Sequence, residues 1–211
     1  SIAFEPLPSS VEILKDQIQI NRINAAVDIR NMGLGNKEGA LFFTNNNDTV
    51  NKVSLAGEVE NTTMVKVSTL DKELAKDNQY FFKIDVEGFE YNVIEGASAV
   101  LSNNNVSAII IELNGSGEEF GHSNEDIHKK LLSFGFVAVA YEPQTRNLTE
   151  LKSYNQNGGN TIYVKDVARA FIAASNYKKS GQIFNIGSGK QTTVNYIANA
   201  ISKNHVYIPK R

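Results

Sequence analysis

Two apolar runs with a helix-like stretch between them constrain this chain more than any other feature. Gln79 to Ile84 (QYFFKI) reads as a buried strand, and Val106 to Leu113 (VSAIIIEL) as a second, continuously apolar one. Phe89 to Leu101 (FEYNVIEGASAVL) lies between them and reads as a helix with Phe89, Val93, Ile94, Ala97 and Leu101 facing inward. An uninterrupted apolar strand is the pattern of one covered on both faces. Strand, helix, strand at this spacing predicts a parallel sheet wound with helices.

The flanking sequence extends the pattern. Ile2 to Phe4 reads as a strand ended by Pro6, and Ser9 to Asn21 as a helix with Val11, Leu14 and Ile18 inward and Ser9 or Ser10 as N-cap. Val27 to Asn31 alternates like a strand, and the turn Asn36 to Gly39 leads into another at Ala40 to Phe43. Lys66 to Leu70 looks extended, Asp71 to Leu74 a short helix, and Asn124 opens a helix through Leu132. Phe136 to Tyr141 and Thr161 to Val164 are predicted closing strands. After Asp166 the composition shifts: Val167 to Asn176 and Thr193 to Lys203 read as helices around a strand at Gln182 to Ile186. The expected architecture is α/β, a doubly wound and mostly parallel sheet over residues 1–166, with a small α/β appendage at 167–211.

Composition narrows the function classes. With 211 residues, 41% of them hydrophobic, there is chain for one core, or one core plus an appendage. A net charge of −2 gives no electrostatic case for nucleic acid or an anionic membrane as partner. No apolar run approaches the roughly 20 residues that span a bilayer, so a soluble protein is expected. The absence of cysteine fits a cytoplasmic location. An oligomer is compatible with all of this. The opening SIAFEP starts directly on a strand, as if the numbered chain began in the middle of a fold.

In wound parallel sheets, ligands bind beyond the carboxyl ends of the strands. Acids stand there: Glu5 after the first strand, Asp85, Glu87 and Glu90 after the Phe81 strand, and Glu112 near the end of the Ile109 strand. Each has a plainer alternative, Glu5 as an exposed strand end, and Glu87 and Glu90 as charges favouring a helix N-terminus. Clustered carboxylates also raise one another's proton affinity, which suits a general base. His122 and His128 flank a helix start without a third ligand in a fixed pattern, so they suit substrate contact better than zinc. Gly187-Ser188-Gly189-Lys190 lacks the earlier glycine of a phosphate loop and reads as a turn. Neither Gly-x-Gly-x-x-Gly nor Tyr-x-x-x-Lys occurs, which argues against dinucleotide oxidoreduction. A non-catalytic binding module stays open as a rival.

Several segments in order carry a resemblance: AFEP (3–6), ILKDQIQIN (13–21), NMGLGNKEG (31–39), STLD (68–71), KIDVEGFEYNVIEGA (83–97) and IIIELN (109–114). Together they resemble the FkbM family of S-adenosylmethionine-dependent methyltransferases through about residue 166. That likeness implies a Rossmann-like sheet of the class I methyltransferase type. It also implies S-adenosylmethionine as cofactor and O-methylation of a sugar, polysaccharide precursor or other small hydroxylated acceptor. By the same resemblance Glu5 takes the cofactor ribose, and Asn31, Met32 and Gly33 the adenine. Asp85, Glu87, Glu90 and Glu112 then fall at the transfer site, with Asp85 nearest the cofactor. His122 and Asn114 are the candidates to touch acceptor. Family members carry a strand and a glycine-rich turn before the AFEP position, so weak cofactor binding is expected of a chain without them. YVKDVARAFIAASN (163–176) and GQIFNIGSGKQTTVNYIANAI (181–201) instead resemble the substrate domain of NAD-dependent epimerase/dehydratases. The two likenesses overlap at Tyr163 to Asp166, which implies a join of two sugar-pathway sequences there.

Overall fold

The computed structural model describes residues 1–45, 51–54, 61–75, 78–145 and 147–165. The epimerase-like segment and the phosphate-loop-like turn lie outside them.

Among the described residues, ten strands and five α-helices follow one another. β1 (Ile2–Phe4) is followed by α1 (Pro8–Ile20), β2 (Asp28–Arg30), β3 (Gly33–Leu34), β4 (Gly39–Thr44) and β5 (Thr62–Ser68). Next come α2 (Leu70–Glu73), β6 (Tyr80–Ile84), α3 (Glu90–Glu95), α4 (Ser98–Ser102) and β7 (Val106–Glu112). The described chain closes with α5 (Asn124–Ser133), β8 (Phe136–Glu142), β9 (Asn147–Glu150) and β10 (Asn160–Lys165).

The fold is α/β, as the sequence pattern implies. Among the described residues three sheets form, in the orders β1-β2, β3-β5-β4 and β6-β7-β10-β8-β9. Parallel pairing joins β1 to β2, β3 to β5 and β6 to β7. The closing strands are antiparallel, because the short connection from β8 to β9 can only reverse the chain, and β10 inserts between β7 and β8. Among the described residues β1 and β6 each have one unpaired edge. Edge position explains why β6 is less buried than its sequence suggests: Ile84 is buried but Phe81 is 59% exposed.

β7 has Val106, Ile109 and Ile111 fully buried on one face and Ala108, Ile110 and Glu112 half-covered on the other. Against them pack Val93, Ile94, Ala97 and Leu101 from the helical segment, Ile127 and Leu131 from α5, and Phe136 and Tyr163 from the closing strands. A second cluster unites Leu7, Phe43, Val53, Val65 and Val67 around the small sheet.

The helix expected over 89–101 is two helices, α3 and α4, broken at Gly96-Ala97. The break has a distant cause. A Cβ at Gly96 would lie 1.9 Å from the carbonyl oxygen of Gly35, so the turn before β4 rests directly on the helix backbone there. The Gly96 carbonyl accepts the Asp71 N–H at 3.0 Å. The Asp71 carboxylate in turn accepts the N–H groups of Ala99 and Val100 at 2.9 and 2.8 Å, capping the restarted helix. At the other end of the core, buried Lys165 donates to the carbonyls of Leu101 (2.8 Å) and Phe134 (2.5 Å), where α4 and α5 finish. A cation suits those two helix C-termini.

Candidate active site

The chain leaves β6 through a tight loop. Glu87 and Gly88 take successive left-handed conformations, with φ of 49° and 99°. A Cβ at Gly88 would come within 2.6 Å of the Ser116 carbonyl, so the β6–α3 loop is pressed against the β7–α5 loop and only glycine fits. Glu87 has no such licence, and a side-chain-bearing residue in that region costs on the order of 1–2 kcal/mol.

Glu90 closes this loop from inside. It is 4% exposed, and its Oε1 accepts the N–H groups of Val86 and Gly88, both at 3.2 Å. Burial pushes its pKa above the usual carboxylate range, and those donors oppose the shift. The sequence reading put Glu90 with the acids facing substrate. The structure instead gives it to the backbone of the turn, because the first helical position points the side chain back under the loop.

Asp85 and Glu112 come together at the carboxyl ends of the adjacent parallel strands β6 and β7. Glu112 is raised above its ordinary pKa, first by a hydrogen bond to Asp85, then by burial and by the negative charges of Asp85 and Glu87, with Lys83 opposing. Glu112 therefore takes up a proton more readily than an isolated carboxylate does. Lys83 Nζ donates to Asp85 Oδ2 at 3.0 Å and to Asn160 Oδ1 at 2.9 Å. The sequence reading gave neither Lys83 nor Asn160 a role. Lys83 sits two residues before Asp85 and so shares its face of the strand, a signal that was available. Asn160 is 77 residues away and left none.

At the ends of β1 and β2 a second group forms. Glu5 is half-buried, its Oε1 accepts the Leu7 N–H at 3.0 Å, and burial raises its pKa while that bond opposes. Asn31 Nδ2 donates to the carbonyls of Glu5 and Pro6, both at 2.9 Å, which ties the turn after β2 to the end of β1 and leaves Oδ1 for a ligand donor. Met32 is half-buried beside it. Gly33 is buried as it enters β3, where a Cβ would meet the Phe43 ring at 3.0 Å.

Asn114 folds onto its own loop, its Oδ1 accepting the Ser116 N–H at 2.9 Å. His122 stacks on Tyr91 with ring centroids 3.7 Å apart and planes within 9°. The pair lines a cavity of about 490 Å³ with Gly121, Asp126, Lys129, Lys130 and Ser133. A second cavity of about 250 Å³ lies against the β3–β4 turn beside Phe89 and Asn92. Glu5, Asp85 and Glu112 line neither. His128 departs from expectation: it is 6% exposed, and its Nδ1 lies 2.8 Å from the Tyr163 hydroxyl in the core. His128, the fifth residue after Ser123, faces the core from α5, which removes it from any loop site. Among the described residues no group of three acidic or histidine side chains could hold a metal, and no helix is long and apolar enough to cross a membrane.

An α/β fold with acids at the carboxyl ends of its parallel strands defines the class. Residues 2–138 match the model of the methyltransferase FkbM domain, and the chain belongs to that family. One solved structure, methyltransferase FkbM from Methylobacillus flagellatus KT, is similar with a TM-score of 0.49 and 15% identity, over 77% of this chain. The chain spans only 36% of that protein's length. No curated protein matches. The family match stops at residue 138, so the epimerase-like likeness of the tail has no counterpart in it.

Proposed function

We propose that this chain forms part of an S-adenosylmethionine-dependent O-methyltransferase acting on a sugar, polysaccharide precursor or similar hydroxylated metabolite. The observation that carries the reading is the Asp85–Glu112 carboxyl pair at the ends of β6 and β7, in a chain of the FkbM domain family.

The residues present suit such a cofactor by their donor and acceptor chemistry. Glu5 keeps one carboxylate oxygen for hydroxyl donors such as those of a ribose, since only Oε1 is engaged by Leu7. Asn31 Oδ1, with Met32 and Gly33, would take the adenine. Asp85, Glu87 and Glu112 give the strand ends a negative potential that favours a sulfonium cation. When bound, the cofactor supplies an electrophilic methyl group. Asp85 and Glu112 would orient the acceptor hydroxyl, and Glu112 in its ionised form, with its proton affinity raised, would accept the proton the hydroxyl loses. Glu87 contributes charge, while Glu90 keeps the loop closed. His122 and Asn114 lie on the β7–α5 loop, which follows the Glu112 strand end, and would meet the acceptor from there. The rest of the rate would come from positioning and exclusion of water.

The test is calorimetric titration of S-adenosylhomocysteine and of NAD into the protein and into its Glu5→Gln variant. Saturable binding of the first, weakened about tenfold by Glu5→Gln through loss of a charge-assisted hydrogen bond, is expected. Binding of NAD alone, or of neither, would refute the reading.

A further inference from the structure

We propose that Lys83 and Asn160 are positioning residues that fix the Asp85 carboxylate toward Glu112, so that the closing strand β10 is part of the transfer site. This rests on the reading of Asp85 and Glu112 given above. The register makes the arrangement specific. Lys83 pairs with Ile110 across β6–β7, and Asn160 pairs with Glu112 across β7–β10. Lys83 and Asp85 therefore stand on one face of β6, while Asn160 sits beside Glu112 on the far side of β7. The Lys83 ammonium bridges from β6 over β7 to β10, a span of two strand spacings, roughly 10 Å.

The ammonium has three protons, and two are committed, to Asp85 Oδ2 at 3.0 Å and Asn160 Oδ1 at 2.9 Å. With Oδ2 held by the lysine, the Asp85 carboxylate is fixed at the end of β6, next to the Glu112 end of the paired strand β7. Asn160 prevents the flexible lysine from swinging into solvent with its partner. The charged groups at this spot are Asp85, Glu87, Glu112 and Lys83, so the lysine offsets one of three potential negative charges.

Stability does not account for the bridge. The side chains of Lys83 and Asp85 are each 44% exposed, and ion pairs at that exposure add little to stability. Its effect falls on orientation and on proton affinity.

The test uses Lys83→Met, Lys83→Arg and Asn160→Ala in protein carrying ¹³C-labelled carboxyl groups, with Glu112 followed by NMR through a pH titration and melting temperature measured in parallel. Lys83→Met should raise the Glu112 midpoint by about 0.5 pH or more, because a cation a few ångströms away lowers a carboxyl pKa. Asn160→Ala should do so less, and Lys83→Arg should restore most of the wild-type value. Melting temperatures should stay within about 2 °C. A Glu112 midpoint unmoved by Lys83→Met, or a shift accompanied by general unfolding that Lys83→Arg does not rescue, overturns the proposal. No cofactor takes part in this measurement, so it fails separately from the methyltransferase reading. Where methyl transfer is observed, Lys83→Met should lower kcat while leaving KM for the acceptor nearly unchanged.

Discussion

Gly96→Ala is the substitution whose sign the structure decides most sharply. Gly96 has φ of −74°, an ordinary helical value, so alanine meets no backbone obstacle there. On helix propensity alone the change should stabilise by about 0.5–1 kcal/mol. The structure reverses that expectation. The new methyl would stand 1.9 Å from the Gly35 carbonyl oxygen and 2.9 Å from its carbonyl carbon, with Asn36 Cα at 3.2 Å. All three are backbone atoms, so no side chain can rotate away. The turn before β4 must lift, which disturbs the neighbouring bond from Asp71 N–H to the Gly96 carbonyl. Overpacking of this kind costs about 1–3 kcal/mol, and the backbone contacts put this case at about 3. For a chain of this size that is a fall in Tm of about 6–12 °C. Urea unfolding should show a lower midpoint at an unchanged m-value. Gly39→Ala is the matched control, since nothing stands within 4 Å of its added methyl, and it should change stability by less than about 1 kcal/mol. A Gly96→Ala protein as stable as the parent would refute the close approach of turn and helix.

Glu90→Ala should destabilise by about 2 kcal/mol, read by urea unfolding, because the N–H groups of Val86 and Gly88 lose their acceptor within a buried turn. His128 is held below its ordinary pKa, chiefly by burial, so the unfolded chain binds its proton first as pH falls. The stability it contributes is complete above the unfolded value near 6.5 and is lost as pH drops from there through the lower folded pKa. Urea midpoints should therefore decline below pH 6.5 more steeply in the parent than in His128→Gln.

β7 and the inward set Val93, Ile94, Ala97 and Leu101 were legible because burial leaves an apolar record, and β6 was legible from its apolar residues although its edge position leaves Phe81 59% exposed. α5 was legible from its period, although its cap is Ser123, which shares a reciprocal capping box with Asp126. What the sequence concealed was long-range. The break at Gly96 is imposed by Gly35, and Asp85 is held through Lys83 by Asn160. β3 and β9, of two and four residues, carry too few positions to show a period. Among the candidate acids, position after a strand was readable, but which acid turns inward was not. Glu90 and Asp85 look alike in sequence, and only the left-handed turn at Glu87-Gly88 sends one beneath the loop and the other to the surface.

The place of β10 has a consequence for how this protein is made. The strand that lies between β7 and β8 is the last of the ten described strands to leave the ribosome, about fifty residues behind its neighbour β7. Until Lys165 emerges, two apolar strands wait side by side with no partner between them, and the ends of two helices wait for the ammonium that anchors them. Vectorial synthesis therefore gives this domain a late, all-at-once closing step, and a nascent chain stalled before residue 160 would be a substrate for chaperones rather than a smaller folded protein.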